Sequence, residues 1–191
     1  MKLDIKDDFT SLPRAERFVR AAEAGGDKPF DFALLAHDER HLRRRVLILS
    51  EGGRVLVDLT EPTALDHGDR LMLEDGRSVE IRAAEEEVYS IKPRSQLHLA
   101  ELCWHIGNRH LAAQIEAERI VILRDHVIRD MLEGLGAEVA ETLEQFRPVR
   151  GAYSGHGHGH GHGHHHGHGH HGEPDRFGRL PGDPHYGHNH A

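Results

Sequence analysis

The sequence predicts an α+β protein in three parts: an all-β N-terminal domain over residues 1–84, a ferredoxin-like βαββαβ domain over residues 85–150, and a disordered histidine-rich tail over residues 151–191. Three observations lead there. Apolar or alternating runs twice flank a Gly-Gly or Asp-Gly turn in the first half. Two apolar stripes of helical spacing stand among strand-like runs in the second. Beyond Arg150 the apolar residues thin out, and glycine and histidine take over.

Taken in order, "RVLILSEGGRVLVDL" reads as two strands around Gly52-Gly53, and "RLMLEDGRSVEIRAA" repeats the pattern around Asp75-Gly76. A meander of hairpins is the simplest way to pair them. The basic run "HLRRR" at 41–45 directly precedes "VLIL" and is expected as the solvated start of a strand. From residue 87 "EVYSIKP" is a strand closed by Pro93. Ser95 then caps a helix in which Leu99, Leu102, Cys103 and Ile106 fall at i, i+3, i+4 and i+7. Gly107 and Asn108 are expected to end that helix, because both tolerate left-handed backbone. "LAAQIEA" and "RIVIL" read as the next two strands. Asp125 caps a second helix carrying Ile128, Met131, Leu132 and Leu135, Gly136 stops it, and "AEVAETLEQF" supplies the last strand.

Composition narrows the function. The formal charge is -8 with histidines neutral, and "HLRRR" is the one basic cluster, which argues against nucleic acid as a partner. A single cysteine, Cys103, excludes an internal disulfide and the paired-cysteine zinc folds, and on its helical stripe it is expected as a buried thiol. "MKLDIKDDFT" has no apolar signal region and no run is long enough for a bilayer, so a cytoplasmic protein with no membrane partner is expected. H-E-x-x-H, the P-loop, G-x-S-x-G and a dinucleotide-binding glycine pattern are all missing, which points away from an enzyme.

The tail carries 13 of the 20 histidines, ten of them between Gly155 and Gly172. A segment this poor in apolar side chains cannot offset its ordering entropy, so its chemistry must lie in the imidazoles. Imidazole suits nickel, copper and zinc, and glycine between the histidines lets any two or three converge on one ion. His156, His158, His160, His162, His164, His165, His166, His168, His170, His171, His185, His188 and His190 are therefore candidate ligands acting collectively. Protonation below about pH 6.5 would release metal from such ligands.

The most specific stretch is "CWHIGNRHLAAQI", residues 103–115, followed by "DHVIRDML" at 125–132. Spacing alone makes His110 a turn histidine at a helix end. With its flanking motifs and the tail, the chain resembles the UreE family of urease accessory proteins, nickel metallochaperones that serve urease maturation. The resemblance implies that His110 is the principal Ni(2+) ligand, placed near a two-fold axis so that each subunit of a homodimer contributes one imidazole. It also implies partners, namely the urease-maturation GTPase and the apo-urease accessory complex. A GTPase must be a separate chain, since this one has no P-loop.

His126 matches one member of a peripheral histidine pair found in some members of that family, but the partner position holds Arg124, a cation that disfavours a metal ion there. His105, with His98 and Glu101, shares a face of the kind usually solvated, and His105 itself is expected as a helix C-terminal cap or interface residue. Gly107, Asn108 and Arg109 are expected to shape the turn. His37, His41 and His67 have no partners at ligand spacing. Two other functions compete: metal buffering or storage by the tail, with Zn(2+) or Cu(2+) competing for the imidazoles, and peptide or partner binding by the β-rich domain.

Overall fold

A computed structural model describes residues 11–150 together with Arg179 and Tyr186. The described chain divides into two compact units, with the break after Arg82 and with Arg179 belonging to the first. The fold is α+β, dominated by sheet, with two helices.

The first unit is one six-stranded sheet. Its strands are β1 (Arg14–Val19), β2 (Asp31–Leu35), β3 (His41–Ile48), β4 (Arg54–Ala64), β5 (Arg70–Leu73) and β6 (Ser78–Ala83), in the order β2-β6-β5-β1-β4-β3. The hairpins β3–β4 and β5–β6 form around the expected turns. The sheet as a whole is not a meander. β1 inserts between them, antiparallel to β5 and parallel to β4, with Arg14 opposite Leu56 and Ala15 opposite Val57. The two hairpins alone would leave Leu56 and Val57 without a neighbour on that side. β1 brings the fully buried Ala15 into the cluster of Leu42, Leu47, Val55, Val57, Leu71, Val79 and Ile81. Only the alternating half of "RAERFV" carries that signal, so its place is decided by packing.

The basic run also differs from expectation. Arg43 and Arg44 are exposed, but Arg45 is 7% exposed and its guanidinium meets Glu39 at 2.7 Å. Arg45 shares its pleat face with Leu47, so the side chain has to enter the covered side and needs a carboxylate there. Asp69, 2% exposed, accepts from the Arg20 guanidinium at 2.6 Å and from the amides of Ala21 and Asp66, tying the end of β1 to the β4–β5 connection. Asp31 does the same between β2 and the β3–β4 turn, accepting from the Ser50 hydroxyl and from the amides of Phe32 and Glu51.

The second unit runs β7 (Glu85–Lys92), α1 (Gln96–Gly107), β8 (Ala113–Ile115), β9 (Ile120–Leu123), α2 (His126–Gly134) and β10 (Glu138–Gln145). The strands lie in the order β10-β7-β9-β8 with every neighbouring pair antiparallel. The Ser95 hydroxyl accepts from the His98 amide at 3.1 Å and opens α1. The Asp125 carboxylate accepts from the amides of Val127 and Ile128 and opens α2. α1 then buries Leu102 and Ile106, and α2 buries Ile128 and Leu132, in one cluster with Tyr89, Ile91, Ile120 and Ile122 of the sheet. Arg119, in the β8–β9 turn, bridges Glu116 and Glu144 at 2.8 and 2.9 Å and so clamps that turn to β10. These two carboxylates, Glu116 foremost, raise the Arg119 pKa.

Gly136 closes α2 with φ +88, its amide donating to the Glu133 carbonyl at 2.8 Å. A Cβ there would sit 2.8 Å from the Arg94 guanidinium carbon, whose Nη2 holds the Leu135 carbonyl. Gly136→Ala should therefore lower stability by about 1–2 kcal/mol in urea denaturation, from left-handed strain and displacement of Arg94. Gly107→Ala is its control: nothing lies within 4 Å of a Cβ there and its backbone is not left-handed, so stability should hold or rise by up to about 1 kcal/mol.

Burial works to raise the Asp31 pKa, but donors from Ser50, Phe32 and Glu51 outweigh it and hold the carboxyl below its ordinary value. A lowered folded value means that Asp31 stabilises fully above about pH 4 and that this contribution is lost as pH falls through the lowered value. Asp31→Asn should cost about 1–3 kcal/mol at pH 7. The gap between variant and wild type, read by urea denaturation across pH, should close below about pH 4.

Candidate metal-binding site

The end of α1 builds the site. Three successive amides close on the last turn: Asn108 donates to the Trp104 carbonyl at 3.0 Å, Arg109 to Ile106 at 3.0 Å, and His110 to Gly107 at 2.9 Å. The Arg109 guanidinium adds a bond to the His105 carbonyl at 2.9 Å. Carbonyls that a helix end leaves unpaired are thereby satisfied without glycine in a left-handed position. The helix ends where expected, at Gly107 with Asn108 as its cap, but Asn108 is right-handed (φ −63), so the ending does not rest on left-handed backbone at either residue. The left-handed residue is His110, with φ +55, the one non-glycine of positive φ among the described residues. The chain must reverse immediately to enter β8, and the last residue of the tight turn takes the strain.

The imidazole of His110 belongs to an exposed residue. A histidine standing where glycine would be unstrained is an outlier of the kind that clusters at functional positions. α1 also presents an uncovered apolar face. Leu97 is 72% and Trp104 64% exposed, and Ala100 between them is also exposed. The sequence reading missed this face. Its signal was available, since α1 carries Leu97 and Trp104 in addition to the stripe that its own core uses.

The other candidates fall in different surroundings. His105 is half-buried in the last turn of α1, its ring edge-on to Trp104 with centroids 4.9 Å apart. His98 is 5% exposed and so does not lie on a solvated face. It stands one turn before Leu102 at the margin of the buried stripe, and its Nδ1 accepts from the Arg94 amide at 3.0 Å. Cys103 is half-buried, and desolvation raises its thiol pKa, which leaves it a poor ligand.

His126 is exposed at the first position of α2. Arg124 beside it is engaged elsewhere, meeting Glu141 at 3.1 Å and Glu87 at 3.7 Å and donating to the carbonyls of Thr142 and Val88. Its charge is thus partly balanced, but it still brings no second donor. Among the described residues no group of three or more His, Cys, Asp or Glu side chains is gathered to hold a metal ion. The tail histidines lie outside the described residues. No helix among the described residues is long and apolar enough to cross a membrane.

Glycine should relieve the left-handed strain at position 110. His110→Gly should leave stability unchanged or raise it by up to about 1 kcal/mol, and His110→Val should lower it by about 1–2 kcal/mol, both measured by urea denaturation. Equal losses in both variants would mean that the imidazole is held for packing.

Two family models cover most of the chain. One described as the N-terminal domain of the UreE urease accessory protein matches residues 19–84, and one described as its C-terminal domain matches residues 86–172. The chain is 66% identical over 155 residues to a protein of Mesorhizobium japonicum named urease accessory protein UreE, covering 81% of this chain and 79% of that relative. A protein of the same name from Brucella anthropi is 59% identical over 146 residues, covering 76% of this chain and 82% of its own length. Another, from Agrobacterium fabrum, is 58% identical over 131 residues, or 69% and 81%. Matches this extensive, spanning both compact units, leave one conclusion: the chain belongs to the UreE family of urease accessory proteins.

Proposed function

We propose that this protein is a cytoplasmic, non-enzymatic nickel metallochaperone that binds Ni(2+) through a pair of His110 side chains in a homodimer and passes it on during assembly of the urease metallocentre. The observation that carries the reading is the strained, exposed His110 at the end of an uncovered apolar helix face. One imidazole holds nickel poorly, and the described part of a single chain gathers no second and third ligand. A two-fold contact through Leu97, Ala100 and Trp104 would cover that face and bring a second His110 alongside the first. We read the second unit as ferredoxin-like, which its βαββαβ order and its antiparallel order β10-β7-β9-β8 support.

In this reading the tail histidines raise the local metal concentration and complete the coordination sphere, with His126 at most peripheral. A site on the surface of a turn exchanges ligands quickly, which suits delivery better than a closed cage. Zn(2+) and Cu(2+) compete for imidazole, copper ahead of nickel, so selectivity rests on supply and on the partners: the maturation GTPase and the apo-urease accessory complex. The β-rich unit would be the partner-binding part. Family membership favours delivery over buffering by the tail, although the density of histidine there suits either.

Equilibrium dialysis of a chain ending at Tyr153, with light scattering, tests the proposal. We expect one nickel ion per dimer, lost in His110→Ala while the dimer remains. Trp104→Glu should shift the mass toward monomer and weaken nickel binding with it. Binding that disappears with the tail alone, leaving His110 without metal, would overturn the delivery site and favour buffering.

A further inference from the structure

β10 and β8 are the two terminal strands of the second unit's sheet. The chain that leaves β10 at Gln145 nevertheless meets β8 four residues later, where the Val149 amide donates to the Ala113 carbonyl at 2.9 Å. It crosses on the face away from the helices. Alternation puts Tyr89, Ile91, Ile120 and Ile122 on the helix side and turns Val88 and Val121 to the other, where Phe146 packs on them and all three are fully buried. Between these two points the Arg147 amide donates to Gln114 Oε1 at 2.7 Å. Three interstrand spacings come to about 14 Å, which four residues span only when almost fully extended. Residues 146–149 are therefore a taut strap. We propose that this strap positions the His110 turn: by fixing β8 it holds the far end of the reversal that gives His110 its left-handed backbone, with Phe146, Gln114 and Val149 as the positioning residues.

The near end of the reversal is set by the amides of residues 108–110, which close on the last turn of α1. The far end is Ala113, the first residue of β8. That strand has three residues and β9 on one side, so its own ladder holds it weakly. The strap adds a main-chain bond at Ala113 and a side-chain bond at the next residue, Gln114. Leu111 and Ala112 alone then separate His110 from a fixed strand, which leaves little slack for its φ of +55 to relax. A non-glycine residue stays in that region only where its surroundings over-determine it.

The bonds continue past β8. Gln114 Nε2 donates to Glu116 at 2.6 Å, Glu116 pairs with Arg119, and Arg119 reaches Glu144 of β10, two residues before Phe146. The strap is thus tied at its origin as well as at its end, and each polar member has its partner. Its value for metal binding rests on the His110 reading given above; its hold on the turn does not.

Hydrogen–deuterium exchange on the metal-free full chain tests the proposal, with amides 108–113 as the readout and those of β5 and α2 as internal controls. Val149→Pro removes the donating amide and Gln114→Leu the accepting oxygen. Each should speed exchange at 108–113 roughly tenfold or more with the controls unchanged, whereas Val149→Ala keeps the amide and should retain the protection. Unchanged exchange in both variants would overturn the proposal. Acceleration spread equally over the controls would overturn it too, by reducing the strap to a general stabiliser. Urea denaturation gives a second readout: the fall in midpoint caused by His110→Val should be at least halved in the Val149→Pro background, because a slack turn imposes less strain, and equal falls would overturn the hold on residue 110. Equilibrium dialysis of the full chain, each protein set against its own His110→Ala form so that the tail cancels, should show the His110-dependent nickel held about tenfold more weakly in Val149→Pro. Unchanged affinity there would overturn the role in metal binding. If His110→Ala removes no nickel from the otherwise unaltered chain, the function proposed above falls, and exchange and denaturation still decide the strap.

Discussion

The second unit depends on one constraint: α1 must stop and reverse within the five residues that separate Gly107 from Ala113, so that the chain can enter β8. Ser95 sets where the helix begins, and Leu102 and Ile106 set which side faces the sheet. The amides of residues 108–110 then close on carbonyls of the final turn, with Arg109 taking the carbonyl of His105. No glycine is available at the point of reversal, so His110 takes the left-handed conformation. Strain of about 1 kcal/mol or more is held by the hydrogen bonds around it, and the result is an imidazole presented on a hydrogen-bonded turn.

The hydrogen-bonded turn contrasts with an open face on the same helix. The core beneath α1 is closed, yet the opposite face of the helix keeps Leu97 and Trp104 uncovered. Helices in water normally hide such residues, and exposed apolar faces of this kind commonly mark interaction surfaces. Elsewhere the charged groups are balanced within the fold. Arg124 meets Glu87 of β7 and Glu141 of β10, and Arg119 joins Glu116 of its own turn to Glu144 of β10, so acidic residues of β7 and β10 serve as structural counter-ions.

The first unit is organised by polar ties between segments far apart in sequence. Asp69 and Asp31 are buried carboxylates that each gather three donors from neighbouring turns, and Arg45 is a buried cation matched to Glu39. Buried groups of this kind must be satisfied, so each pins a loop to a particular strand end. β1 gains its place by the same logic of fit, as a strand small enough at Ala15 to lie between two hairpins.

Local chemistry was legible in the sequence by itself. Turn dipeptides located two hairpins, Ser95 and Asp125 marked both helix starts, and the spacing of Leu102, Ile106, Ile128 and Leu132 marked the buried stripes, because capping and periodicity act within a few residues. The run "GNRH" singled out His110 through a family resemblance. What only the tertiary structure decided involves residues distant in the chain. These are the insertion of β1, the burial of Arg45 and His98 at margins that spacing alone had read as solvated, and the left-handed backbone of His110 in place of Gly107 or Asn108. Each depends on which surfaces meet, and that is a property of packing rather than of any local run of residues.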